Sequence, residues 1–119
     1  MRLVIIESPF SGDEARNRIY LQRCIRDCLA RGESPYASHQ MLTDALRDSV
    51  PEERAQGIAA GFEWRKVAEA TVVYEDYGIS GGMRTGIDDA HRLNRALAEL
   101  RALGRPIEYR RIGPNPEAT

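Results

Sequence analysis

Cysteine, aromatic side chains and an excess of either charge are all scarce in these 119 residues. The only cysteines, Cys24 and Cys28, stand one helical turn apart. That spacing suits reduced core thiols in a cytoplasmic protein, and no further ligands at fitting spacing turn the pair into a metal site. Neither a metal nor an organic cofactor is expected. A formal charge of −1 lacks the basic excess of a general nucleic-acid binder, although a local pocket could still hold a small anion. No apolar run approaches the roughly 20 residues of a membrane span. The opening run Leu3-Val4-Ile5-Ile6 is also too short for a secretory signal and reads as a first strand.

What is present is globular in composition, with 42% hydrophobic and 29% charged residues. That supports one core in one domain, placed over residues 1–113, with Gly113-Pro114-Asn115-Pro116 opening a flexible tail over 114–119. Residues 2–7 form a β-branched run without clean alternation, as in a strand covered on both faces. A helix from about Asp13 to Arg31 follows, with Ser11 and Glu14 spaced as a capping box and Tyr20, Leu21, Cys24, Ile25, Cys28 and Leu29 as its buried stripe. Ser34–Ser38 predicts a short second strand near an edge, because Pro35 has no ladder donor. His39 is expected in a loop before a helical turn at Met41–Leu46.

A further helix is predicted from a Ser49–Glu52 capping box to about Val67, with Ile58, Phe62 and Trp64 or Val67 turned inward. Gly57 and Gly61 leave a groove on it for close approach of another backbone. Residues 70–75 read as the third strand, Gly81–Leu103 as a long helix and 106–112 as the last strand. Strands alternating with helices imply an α/β fold: a single three-layer Rossmann- or flavodoxin-like domain with a mostly parallel four- to five-stranded sheet.

In such sheets ligands bind beyond the carboxyl ends of the strands. That rule gathers Glu7–Gly12, Ser38-His39 and Glu75–Gly82 at one rim. The stretch Thr71–Ala90 is the most telling, a buried strand, a glycine-rich turn and a helix whose first amides and positive dipole end face that rim. Ser80, Gly81 and Gly82 could cradle a phosphate or simply form a capped turn. Arg84 could pair with that phosphate or lie in solvent. Glu75 and Asp76 could form an acid pair with one member kept protonated, and Glu7 has the same standing on the neighbouring strand. Each could instead cap a helix or face water. His39 could touch a ligand or bond locally. Phe10 and Tyr77, in loops, are better placed to stack on a base than Tyr20 or Trp64. Asn17 and Arg54 could fix a ligand or knit loops together.

The motifs Glu7-Ser8-Pro9-Phe10-Ser11-Gly12, Ala37-Ser38-His39, Pro51-Glu52-Glu53-Arg54, Asp76-Tyr77-Gly78-Ile79-Ser80-Gly81-Gly82-Met83 and Gly104-Arg105-Pro106-Ile107-Glu108-Tyr109 occur in this order. Together they resemble the nucleoside 2-deoxyribosyltransferase-like superfamily, and more closely an uncharacterised phage and bacterial branch of it. The resemblance implies a homodimer or higher homo-oligomer and a nucleoside- or nucleotide-like ligand. It places Ser8, Phe10, Ser11, Gly12, His39, Tyr77, Gly78, Ser80, Gly81, Gly82 and Arg84 around that ligand. It also implies a strand-end acid at Glu75 or Asp76 and an attacking glutamate on the following helix. That last position is held by Gly86, and Asp88 and Asp89 project elsewhere around the helix. The expected function is therefore ligand binding without the usual glycosyl-transfer nucleophile. One alternative is an N-glycosidase or deoxyribosyltransferase with an altered acid set that includes Glu7. Another is an assembly protein without a ligand, joined through the long helix at Leu93, Leu97 and Leu100.

Overall fold

In the computed structural model, residues 1–117 are described. The β-branched run at the start forms β1 (Arg2–Glu7), and the remaining elements follow as α1 (Glu14–Ala30), β2 (Glu33–Tyr36), α2 (Ser38–Ala45), α3 (Pro51–Arg65), β3 (Ala70–Tyr74), α4 (Gly81–Glu99) and β4 (Ile107–Arg110). All four strands are parallel in the order β2-β1-β3-β4. This is the α/β architecture expected, with the strand order of a flavodoxin-like sheet. β2 lies at an edge, where Pro35 sits opposite Val4. The chain moves from β1 to β2 on one side and to β3 on the other, so the loops leaving β1 and β3 part at a switch point.

Period-two alternation sorts the strands onto two faces. Val4, Ile6, Ala70, Val72 and Tyr74 pack with Tyr20, Leu21, Cys24 and Cys28 of α1 into the larger core. On the other face Val73 packs with Met83 and Ile87 of α4, while Thr71 meets a charged side chain of α3.

Several local expectations yield to a competing interaction. Helix α1 is capped by Asp13, whose carboxylate accepts the Arg16 N–H, and not by Ser11. The backbone of Ser11 instead turns its carbonyl toward buried Asn17. The N-cap of α3 is Val50, with no side-chain cap; Pro51 at the first helical position needs no partner for an N–H it lacks. Helix α2 begins at Ser38, so His39 belongs to a helix and not to a loop. Trp64 and Val67 are exposed, Trp64 lying against Tyr36, and Leu29 is half exposed at the outer edge of its stripe. Helix α4 stops at Glu99, and Arg101 takes a left-handed φ of 57° beyond it. The groove expected at Gly57 and Gly61 is filled by α2: a Cβ at Gly61 would stand 3.0 Å from Ser38 Oγ, and one at Gly57 would stand 3.4 Å from Leu46 Cδ1.

The stretch expected to be a tail falls partly on residues 118–119, outside the described residues. Within it, Asn115 donates its side-chain amide to the Arg16 carbonyl and its backbone N–H to the Tyr77 hydroxyl. No helix among the described residues is long and apolar enough to cross a membrane.

Candidate functional site

A cavity of about 210 Å³ opens where the tip of β1 and the first turns of α4 face α2 and α3. It is smaller than the roughly 300–1,000 Å³ of pockets that enclose drug-sized molecules. Its floor is ionic. Glu7 ends β1 pointing to the α4 side, because it alternates with Ile6, which points to the α1 core. Its Oε2 accepts from Arg65 Nη2 at 2.6 Å. The same guanidinium donates Nε to Asp89 Oδ2 at 2.8 Å and Nη1 to Thr71 Oγ1 at 2.7 Å. Arg65 is only 4% exposed, so its charge is stabilised entirely by these partners. Burial pushes the Glu7 carboxyl upward and nearby Asp89 adds to this, while Arg65 pulls the other way.

Gly86 explains how a glutamate fits there. A Cβ built on Gly86 would stand 2.5 Å from Glu7 Oε1 and closer still to Cδ and Oε2. Thus the Glu7 carboxylate occupies the very volume into which a side chain at position 86 would project. Glycine is required here by close approach, not by backbone conformation.

One wall is formed by Ser8, Phe10 and His39. Ser8 Oγ and His39 Nε2 are 3.0 Å apart. Desolvation lowers the imidazole pKa to about 4, so His39 is neutral at pH 7 and has one nitrogen donating and the other accepting. Phe10 meets His39 edge-on with centroids 6.4 Å apart. Arg18 covers the outer face of the Phe10 ring and is held by Asp44 of α2. Asn17, buried in α1, donates to the Phe10 and Ser11 carbonyls and so fixes the β1–α1 loop from behind.

The opposite wall is the start of α4. Ser80 caps the helix, its Oγ accepting the Met83 N–H at 3.2 Å. Ser80, Gly82, Met83, Thr85 and Gly86 line the cavity, and the dipole end of α4 faces it. At the mouth, Asp48, Glu53 and Arg54 bring charge from the α2–α3 junction and the start of α3.

The cavity therefore gathers Glu7, Ser8, Phe10, Ser11, His39, Ser80 and Gly82 from the residues marked by sequence. Gly12, Glu75, Asp76, Tyr77, Gly78, Gly81 and Arg84 do not line it. Asp76 is spent on the chain segment after β4: its carboxylate accepts the N–H groups of Ile112 and Gly113 and the Tyr20 hydroxyl. Burial alone would raise this carboxyl, yet those donors together hold it below the usual range. Glu75 pairs with exposed Arg111. Tyr77 lies under the Arg16 guanidinium and against Tyr20. Gly78 has a φ of +82° and closes the turn by donating to the Glu75 carbonyl.

Sequence reasoning missed Arg65 as a site residue and the apolar lining of Leu42, Ile58 and Phe62. Arg65 was hidden because its partner Glu7 is 58 residues away. The available signal was an arginine ending α3 just before a fully buried strand.

Comparison with known proteins adds two findings. A family model described as "Domain of unknown function (DUF7768)" matches residues 2–100. Among curated proteins, none matches the chain in sequence. Among solved structures, the chain is similar to a 2-deoxyribosyltransferase from Bacillus psychrosaccharolyticus. That likeness has a TM-score of 0.57 and 14% sequence identity, covering 98% of this chain and 77% of the other. It is a likeness of fold.

Proposed function

The chain belongs to the DUF7768 family, and from that premise we propose that it binds a nucleoside, a nucleotide or a molecule derived from one in the cavity at the tip of β1. One observation carries the reading. At the switch point of a parallel sheet, the place such folds use for ligands, the cavity sets a buried carboxylate beside an aromatic wall and the start of a helix. Phe10 offers a ring edge to a base, Glu7 an acceptor to a hydroxyl, and the Ser8–His39 pair a neutral donor and acceptor. The fold likeness to a 2-deoxyribosyltransferase is consistent with this.

The test is a thermal-shift and calorimetric panel of nucleosides and their 5′-monophosphates, with chromatography for released base. Saturable binding without base release is the expected result; no shift with any member would overturn the reading. A second reading, N-glycosidic cleavage with an altered acid set, is favoured by the Glu7 carboxylate filling the space of a residue-86 side chain. Base release that disappears in Glu7→Gln would establish it. The proposal extends to a cytoplasmic homo-oligomer joined along α4, just beyond whose end Leu100 is 78% exposed. A monomeric mass by light scattering would count against that part.

A further inference from the structure

The charge inventory of the cavity narrows the ligand. Three carboxylates and two guanidinium groups line it: Glu7, Asp48 and Glu53 against Arg54 and Arg65. The buried arginine is fully engaged, and the exposed one sits loosely beside an acid. Arg65 holds Glu7 and Asp89 at 2.6 and 2.8 Å, and Arg54 stands 3.6 Å from Asp48. Glu53 is held from outside the cavity by Arg47 at 2.9 Å. Among the described residues, no buried lining cation is left over for a phosphate, and the exposed Arg54 at the mouth is offset by the acids Asp48 and Glu53.

An acceptor, by contrast, is left over. Both hydrogen-bonding contacts described for the cavity arginine on Glu7 and its neighbour use Oε2 of Glu7 and Oδ2 of Asp89, and Glu7 Oε1 has no partner among the described residues. The one feature attractive to an anion is the start of α4, equivalent to roughly +0.5 charge. Ser80 has already given its hydroxyl to the Met83 N–H there. The cavity floor sets the two acids Glu7 and Asp89 against the single guanidinium of Arg65, so it offers a phosphate no uncommitted positive side chain.

We propose that Glu7 is the ligand-anchoring group of this cavity, accepting a hydrogen bond from a hydroxyl through Oε1, and that it makes the site selective for an uncharged, hydroxyl-bearing nucleoside over its 5′-monophosphate. Glu7 does so from the volume a residue-86 side chain would fill, so the two positions are alternative supports for one carboxylate. This rests on the nucleoside reading of the cavity and adds the charge state of the ligand and the residue that sets it. The discrimination follows from general chemistry. A carboxylate rewards a hydroxyl donor and repels a phosphate, and a buried site built to bond a hydroxyl rejects ligands that leave it unpaired.

The experiment is calorimetry on the full chain with a nucleoside panel and the matching 5′-monophosphates at low and at moderate salt. The nucleoside is expected to bind at least about tenfold more tightly, with the gap narrowing as salt rises. In Glu7→Gln, which keeps shape and removes charge, nucleoside affinity falls and the gap to the monophosphate closes; a merely structural glutamate would weaken both ligands equally. In the double variant Glu7→Ala with Gly86→Glu, the carboxylate returns from α4 and the preference for nucleoside is restored. Tighter binding of the monophosphate by the native chain would overturn this inference and leave the nucleoside reading standing. Binding of neither class would overturn both. Because the native chain alone decides between these outcomes, a variant that fails to fold does not rescue the proposal.

Discussion

The two faces of the sheet are sealed by different chemistry. On the α1 side, Val4, Ile6, Val72 and Tyr74 meet Tyr20, Leu21, Cys24 and Cys28 in a dry core. On the α4 side, the apolar cluster shrinks to Val73, Met83 and Ile87, and Arg65 with its two carboxylates fills the remaining space beside an open cavity. Both faces bury an ion pair, Arg110–Glu33 beside Tyr74 and Cys28 on the α1 side and Arg65–Glu7 on the α4 side, but the α4 pair lines an open cavity. A hydrophobic core gains nothing from leaving a void, whereas an ion pair needs defined partners and tolerates a ligand beside them. The difference puts the open cavity on the α4 side and the larger apolar cluster on the α1 side.

The comparison can be broken first at Arg65. Replacing it with Met leaves Glu7 and Asp89 buried without a cation and is expected to cost about 3–5 kcal/mol in urea unfolding, against about 2–5 kcal/mol for Leu21→Ala in the dry core. A cost for Arg65→Met near zero would show that the polar face contributes nothing to holding the sheet together.

Acid sharpens it next. Hydrogen bonds from Arg110 and Arg2 hold Glu33 down at about 2, and burial opposes them only in part. A depressed carboxylate contributes stability that is complete above its ordinary pKa and lost as pH falls toward the folded value. Glu33 therefore contributes at most about 3 kcal/mol, lost between roughly pH 4.5 and 2. His39 is a depressed base, so the unfolded chain binds its proton first and stability falls as pH drops from about 6.5 to 4. The cavity side thus weakens at milder acid than the Glu33–Arg110 network. Imidazole and carboxyl titrations by NMR would show the two midpoints, and a His39 midpoint near its ordinary value would remove the distinction.

Smaller effects come from the glycines. Gly86→Ala must push the Glu7 carboxylate aside and is expected to cost about 1–3 kcal/mol, a penalty that vanishes in a Glu7→Ala background. Equal costs in both backgrounds would mean that the two positions do not share one volume. Gly57→Ala meets only the far end of Leu46 at 3.4 Å, so helix propensity should win by up to about 1 kcal/mol. Gly61→Ala gains less, because Ser38 must yield.

Element types were legible in the sequence because they rest on local pattern: β-branched runs for β1 and β3, helical spacing for α1, and the Ser80-Gly81-Gly82 turn for α4. The rim was legible for the same reason, and it brought Glu7, Ser8, Phe10, His39 and Ser80 together. What local pattern could not show was the choice among equivalent donors and acceptors. Ser11 and Asp13 are both competent caps, and only the Asn17 contacts decide between them. Asp76 looks like a site acid until Ile112, 36 residues later, supplies the N–H that claims it. Arg65 was illegible because its meaning lies in a glutamate on another element.

The clasp after β4 also bears on how the chain folds as it is made. Glu33 has Arg2 nearby in the chain but meets its buried partner in Arg110, Asp76 finds its backbone donors in Ile112 and Gly113, and Arg23 finds its acceptors in Ile112, Gly113 and Asn115. Synthesis delivers the acids long before the groups that neutralise them. A nascent chain ending after α4 lacks β4 and leaves Asp76 without its backbone donors and Glu33 with Arg2 alone. The segment from Arg110 to Asn115 thus ties together elements that lie far apart in the chain: α1, β2 and the loop after β3.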